Sequence, residues 1–368
     1  MSAPVYNKSS HRFALLTAVA TFVLIGAGGL VTSHGVGMAV PDWPNSYGYN
    51  MFFFPISKWI GGIFYEHTHR LIASGVGMLT SILALWLYGR KARPFMRWTG
   101  LILLVGGIAN EIFLPKLWQD GIVSCVTGLA LLGASFIWPR CEPAVRWLRR
   151  LGLIAFFAVV LQGVLGGLRV VLLDPKIGIF HATLAQLFFA LVCAIALFTS
   201  KWWQNLPSPP TPLPSDGRGE QQTGGAQKLG PFVLLATGLI LFQLILGATM
   251  RHQHAGLAIP DFPLAYGKIW PAMDAASVAH YNEMRVEYTS PNPITAFQIA
   301  LQMVHRIMAL LILIAVTLVA VKSARQLGRR HPISKISFFW VGLILVQATL
   351  GAATIWSNKA ADIATAHV

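Results

Sequence analysis

The chain has 368 residues, 55% of them hydrophobic and 11% charged, with 28 Lys and Arg against 13 Asp and Glu. That balance excludes an ordinary soluble domain and points to a polytopic membrane protein. The net charge of +15 does not mark a nucleic-acid binder, because the positive residues cluster in alternate loops between hydrophobic stretches. Cys125, Cys141 and Cys193 lie in or beside apolar segments and form no CxxC, so a thiolate metal site is not supported.

In chain order, a short basic segment, Met1–Arg12, leads into residues 13–32, long enough to span a bilayer as a retained helix. A long loop follows with Pro41-Asp42-Trp43-Pro44 and the aromatics Tyr47, Tyr49, Phe52, Phe53, Phe54 and Trp59, residues suited to the membrane interface. At Tyr65-Glu66-His67-Thr68-His69-Arg70 this polar loop is expected to run into the second span, about 69–88. Further spans are expected at about 99–114, 121–138, 151–172, 181–200, 231–250, 297–321 and 337–356. Residues 201–230, rich in Pro, Gly, Ser and Gln, read as a flexible linker. The second long loop, 251–295, contains Pro260-Asp261-Phe262-Pro263, and His305-Arg306 then repeats the His-Arg pair of the second span.

Basic residues crowd the N-terminus and the loops after the second, fourth, sixth and eighth spans. The positive-inside rule therefore places the N-terminus in the cytoplasm and both Pro-Asp-aromatic-Pro loops outside, as in a bacterial inner membrane. His69, His181 and His305 then lie toward the outer face. Ionisable groups at membrane depth usually face a bundle interior or a site.

The chain reads as a duplication. Gly37–Gly48 recurs 219 residues on at Gly256–Gly267, His69-Arg70 recurs 236 on at His305-Arg306, and Gln162–Gly166 recurs 185 on at Gln347–Gly351. His181 aligns with His367 at an offset of 186. The drop in offset between the second and third matches marks an inserted hairpin at about 98–139 in the first half. The expected fold is an all-α integral membrane protein of two tandem four-helix units in a parallel pseudo-two-fold repeat. Residues 1–200 form the first unit with its extra hairpin, 201–230 a cytoplasmic linker, and 231–368 the second unit. Its fourth helix is expected to be missing, because the sequence given stops just after His367.

Two histidines at one depth on different helices of a bundle can ligate an iron porphyrin from both faces. The pairs are His69 with His181 and His305 with His367, and Arg70 and Arg306 could meet the propionates. Gly163, Gly166 and Gly167, with Ala348, Gly351 and Ala352, would leave room for a flat macrocycle, close helix packing being the other reading. Glu66 lies three residues before His69 on the same face, whereas Gln302 precedes His305. A carboxylate beside a haem can move protons and an amide cannot, so the first half suits chemistry and the second electron transfer. Competing readings are a dihaem b-type electron carrier that oxidises quinol, a transporter with a parallel repeat, and a copper site at His67, His69, His252 and His254. Asp42 and Asp261 read as turn formers.

Glu66-x-x-His69-Arg70, the Pro41–Pro44 loop, the Gln162-x-x-Leu165-Gly166-Gly167 helix and the four paired histidines together resemble the haem A synthase family. The resemblance covers nearly the whole chain apart from the hairpin and the linker. It implies oxidation of the C8 methyl group of haem O to a formyl group, giving haem A for cytochrome oxidase, through successive hydroxylations and a geminal diol that loses water. It further implies that His69 and His181 hold the substrate haem, that His305 and His367 hold a haem b cofactor, and that Glu66 is the catalytic carboxylate. The partners it brings are haem O, haem O synthase as its source, an unidentified electron donor and membrane lipid, with no nucleic acid and with homo-oligomerisation left open. The first outer loop lacks the cysteine pair that some members carry.

Overall fold

A computed structural model of the protein describes residues 7–204, 220–285 and 293–368, and these are all-helical apart from loops and two isolated bridges. The helices are α1 Lys8–Ser33, α2 Gly61–Tyr88, α3 Ala92–Phe113, α4 Trp118–Ile137, α5 Arg146–Leu172, α6 Pro175–Phe198, α7 Lys201–Gln204, α8 Glu220–His252, α9 Ala275–Glu283, α10 Ala296–Leu327, α11 Pro332–Trp356 and α12 Ala361–Ala366. Eight stretches among the described residues are long and apolar enough to cross a membrane. Nine spans are expected from hydropathy. The difference arises because α2 and α3 follow one another through only Gly89–Lys91 and form a single stretch, Gly61–Phe113. This is an integral membrane protein.

Helix α1 is apolar outside and small or polar inside, a pattern that suits close packing in lipid. On α1, Leu15, Leu16, Val19, Phe22 and Val23 are exposed, while Ala14, Thr17, Ala18 and Thr21 are buried. The two threonine hydroxyls donate back along the helix, Thr17 to Phe13 O at 2.9 Å and Thr21 to Thr17 O at 2.7 Å, so no polar atom on this stripe is left dry.

The chain divides into two compact units, Met1–Pro207 and Ser208–Val368. Part of the expected linker, 205–219, lies outside the described residues, and from Glu220 the chain is already helical as the start of α8. In the first unit α1, α2, α5 and α6 pack around a ring in which α1 touches α2 and α6, and α5 touches α2 and α6. Its closed core joins the first half of α1 (Ala14, Ala18), the second half of α2 (Leu83, Leu87), the start of α5 (Leu148, Ala155) and the end of α6 (Val192, Ile195). Neighbours therefore run antiparallel, and the large apolar side chains fill one end of the bundle. The histidines lie toward the other.

The hairpin α3–α4 closes on itself over glycine: a Cβ on Gly100 would come 2.8 Å from Gly128 O, and one on Gly128 2.7 Å from Gly100 O. Its turn braces the first long loop, where Asn50 N donates to Gln119 Oε1 at 2.8 Å and Asn50 Nδ2 to Asp120 Oδ1 at 2.6 Å.

In the second unit α10 packs between α8 and α11, and α12 packs on α11. Pro175 opens α6 and places His181 seventh in it; Ala361 opens α12, and His367 follows its six residues as C-cap. The histidine expected to have no helix thus stands at the same register as its counterpart.

Candidate functional site

The His-Arg elements do not open their helices as hydropathy suggests. Helix α2 begins at Gly61, eight residues before His69, and α10 begins at Ala296 behind a capping box of Thr295 and Gln298, nine before His305. Polar residues in these first turns are tolerated because each long loop folds back and satisfies them.

In the first unit Glu66 is buried and forms an ion pair with Arg70, Nη2 to Oε1 at 2.8 Å, while its Oε2 accepts from Val40 N at 2.9 Å. Arg70 Nη1 donates to Asp42 O (2.7 Å) and Asn45 O (3.0 Å), and Nη2 also donates to Val40 O (2.8 Å). His67 is fully buried between the rings of Phe54 and Trp59, with Nδ1 3.1 Å from Ser46 Oγ. The loop is itself tied by Asp42, whose carboxylate accepts from Tyr47 N (2.7 Å) and Gly48 N (2.8 Å), and Trp43 lies flat against the backbone of Gly167 on α5.

The second unit repeats this frame with one exchange. Asp261 accepts from Tyr266 N (2.7 Å) and Gly267 N (2.9 Å), and Arg306 donates to Leu264 O (2.9 Å) and Asp261 O (2.8 Å). Gln302 Oε1 accepts from Ile259 N at 2.7 Å, where Glu66 accepts from Val40. Gln302 performs the loop-holding part of the glutamate's work without carrying charge. Tyr266 stacks on Tyr281 at 3.6 Å, and burial first, then Tyr281 and Asp261, push its phenol up to about 12.

Each of the four histidines faces a glycine on a neighbouring helix. A Cβ would stand 3.0 Å from His69 Cε1 at Gly28, 3.3 Å from His181 Cε1 at Gly166, 3.5 Å from His305 Cε1 at Gly247 and 2.9 Å from His367 Cε1 at Gly351. Gly28 and Gly247 are separated by the loop repeat's own offset of 219, a signal present in the sequence but not used in reading it. Gly166 and Gly351 therefore make room for imidazoles, Gly167 for Trp43, and Gly163 meets nothing within 4 Å. The Nδ1 atoms of His69, His181 and His305 are buried without a hydrogen-bond partner. Such atoms are costly to leave empty and fit a metal donor set.

His305 and His367 stand with ring centroids 6.4 Å apart and planes at 80°, a gap that accommodates one metal ion at bonds of about 2 Å to each ring. Gln243 Nε2 donates to His305 O (3.1 Å), Gln162 Nε2 donates to His181 O (3.1 Å), and Gln347 Nε2 donates to His367 O. Burial lowers the pKa of His367, opposed by its bond to Gln347 O and helped by Arg251, the direction that favours the neutral imidazole a metal ligand needs. His69 senses the charge of His181, and Arg169 on α5 acts on both. No group of three or more His, Cys, Asp or Glu able to hold a metal occurs among the described residues. The histidines offer pairs, which suit a macrocycle that brings its own four equatorial nitrogens.

The COX15-CtaA family of cytochrome oxidase assembly proteins matches the chain over residues 118–368. The chain belongs to this family. Among its relatives, a heme A synthase of Rhizorhabdus wittichii is 25% identical over 362 residues, 97% of this chain and 88% of the relative. One of Halalkalibacterium halodurans is 20% identical over 98% of this chain and 92% of the relative. A third, from a Caulobacter species, is 28% identical over 141 residues, 37% of this chain and 36% of the relative. The family match begins at the first residue of α4, so its second helix of the hairpin lies within the matched region.

Sequence reading passed over Arg169, Gly28 and Gly247; Arg70 and Arg306, expected to meet a ligand, bond loop carbonyls in the structure. Gly28→Ala should force the His69 ring aside and destabilise the first pair by about 1–3 kcal/mol. Gly163→Ala, with open space around it, should be neutral or stabilise by up to ~1 kcal/mol. Thermal unfolding of the detergent-solubilised variants compares them, and equal effects would remove the glycine–imidazole contact as a design feature.

Proposed function

We propose that this chain is a haem A synthase, oxidising the C8 methyl group of haem O to the formyl group of haem A. The observation that carries the reading is the pair of histidines in each unit, each imidazole seated against a glycine and three of the four with an unpartnered buried Nδ1. It agrees with end-to-end similarity to proteins named heme A synthase. His69 and His181 would hold the haem substrate, and His305 and His367 a haem b. A bound haem supplies the redox chemistry; the electron donor is an external partner.

What the protein's own residues do follows from their bonds. The loop of residues 37–49, clamped by Glu66, Arg70 and Asp42, covers the helix end beside His69 and keeps water from it. Glu66 is the buried carboxylate of that frame and can take or return a proton at Oε2 when Val40 N–H yields it. The second unit has Gln302 at this place and lacks that capacity. The two units are then a duplicated four-helix fold with unequal tasks, the first for conversion and the second for electron transfer, both with their histidines toward the outer face of the bacterial inner membrane.

The test is acid-acetone extraction and chromatography of pigment from the purified full chain. Haem B together with haem O or haem A is the expected result. Haem B alone, from cells that make haem O, would support an electron carrier instead.

A further inference from the structure

Every ion in the first unit's site has a partner except one. Glu66 and Arg70 neutralise each other at 2.8 Å, and both terminal nitrogens of Arg70 are spent on Asp42 O, Asn45 O and Val40 O. Arg169, in the last turn of α5, is half-buried beneath the same loop, so close that a Cβ on Gly37 would fall 2.8 Å from its Nη2. Its backbone carbonyl accepts from Leu173 N, but among the described residues its guanidinium makes no hydrogen bond; Glu66, already paired, is the carboxylate it senses. It also acts on His69 and His181. A half-buried guanidinium with five donors and no acceptor, at the end of a membrane bundle, is a ready partner for an anion. In the second unit the equivalent position holds Thr354, and the cation that acts on His367 comes from another helix, as Arg251.

We infer that Arg169 binds a carboxylate of the molecule held between His69 and His181, and on the function proposed above this is a propionate of the porphyrin. The role assigned to Arg70 by its place next to His69 belongs to Arg169, which comes from a different helix. The planar fork of the guanidinium matches a carboxylate with two parallel N–H bonds, so it fixes the rotation of the macrocycle about the axis joining the imidazoles. That rotation decides which ring substituent faces Glu66. Arg169 is thereby a positioning residue rather than a catalytic one.

The test uses the full-length protein with His305→Ala, so that the first pair reports alone, titrated by its Soret absorbance with ferric protoporphyrin IX and with the dimethyl ester of that porphyrin. With Arg169 present, the free acid should bind at least about tenfold more tightly than the ester. Arg169→Gln should abolish that preference while leaving ester binding unchanged, which also shows that the variant is folded. If Arg169→Gln binds neither porphyrin, Arg169→Lys decides: a restored preference for the acid supports the inference, and its absence overturns it. Equal binding of acid and ester with Arg169 present overturns the inference alone. Failure of the first pair to bind either porphyrin overturns the functional reading along with it.

Discussion

Glu66→Gln should leave porphyrin binding and the covering loop in place while reducing conversion of haem O by a hundredfold or more, the low end of about 10²–10⁴ for a positioned proton-transfer group. The structure makes this substitution unusually clean. A glutamine carbonyl at residue 66 can still accept from Val40 N, because Gln302 already does so from Ile259 N at 2.7 Å in the other unit. What is lost is a group able to carry a proton and the charge that faces Arg70 at 2.8 Å. Arg70 keeps three carbonyl acceptors, so the loop retains most of its anchoring. Chromatography of haem from cells that supply haem O measures the conversion. Unchanged haem A yield would remove Glu66 from the chemistry and leave it a loop clamp like Gln302.

His305→Ala should cost the second unit its porphyrin and lower the haem content of the purified chain by about half, with loss of the low-spin bis-imidazole signal of that site. The ring of His305 faces that of His367 at 6.4 Å, and a single remaining imidazole cannot hold both axial positions. The backbone should tolerate the change, since Gln243 Nε2 keeps its bond to the carbonyl of residue 305 at 3.1 Å, and alanine is a good helix former. Absorbance and electron paramagnetic resonance of the variant beside His69→Ala separate the pairs. Equal haem content in His305→Ala and the parent chain would exclude His305 as a ligand.

Much of this protein was legible along the chain. The membrane class follows from long apolar stretches, a property of composition and length alone. The recurrence of Pro-Asp-aromatic-Pro, of His-Arg and of Gln-x-x-Leu-Gly singles out four histidines, since a repeat preserves the order of its motifs even where their offsets differ. Asp42 and Asp261 were readable as turn formers because their bonds reach only five and six residues ahead. Helix starts were not legible. Hydropathy places the entry to α2 at His69, yet the helix begins at Gly61, because Glu66, His67 and Arg70 find their partners in residues 40–46, and only then can their turns be buried. The assignment of the arginines was decided the same way. Adjacency to a histidine suggests a ligand contact for Arg70, but successive helical residues point in different directions. Arg70 therefore turns to the loop, and Arg169, inferred above to meet the porphyrin carboxylate, comes from a different helix. Local spacing determined which residue types this protein would use; which of them meet was decided by the packing of helices far apart in sequence.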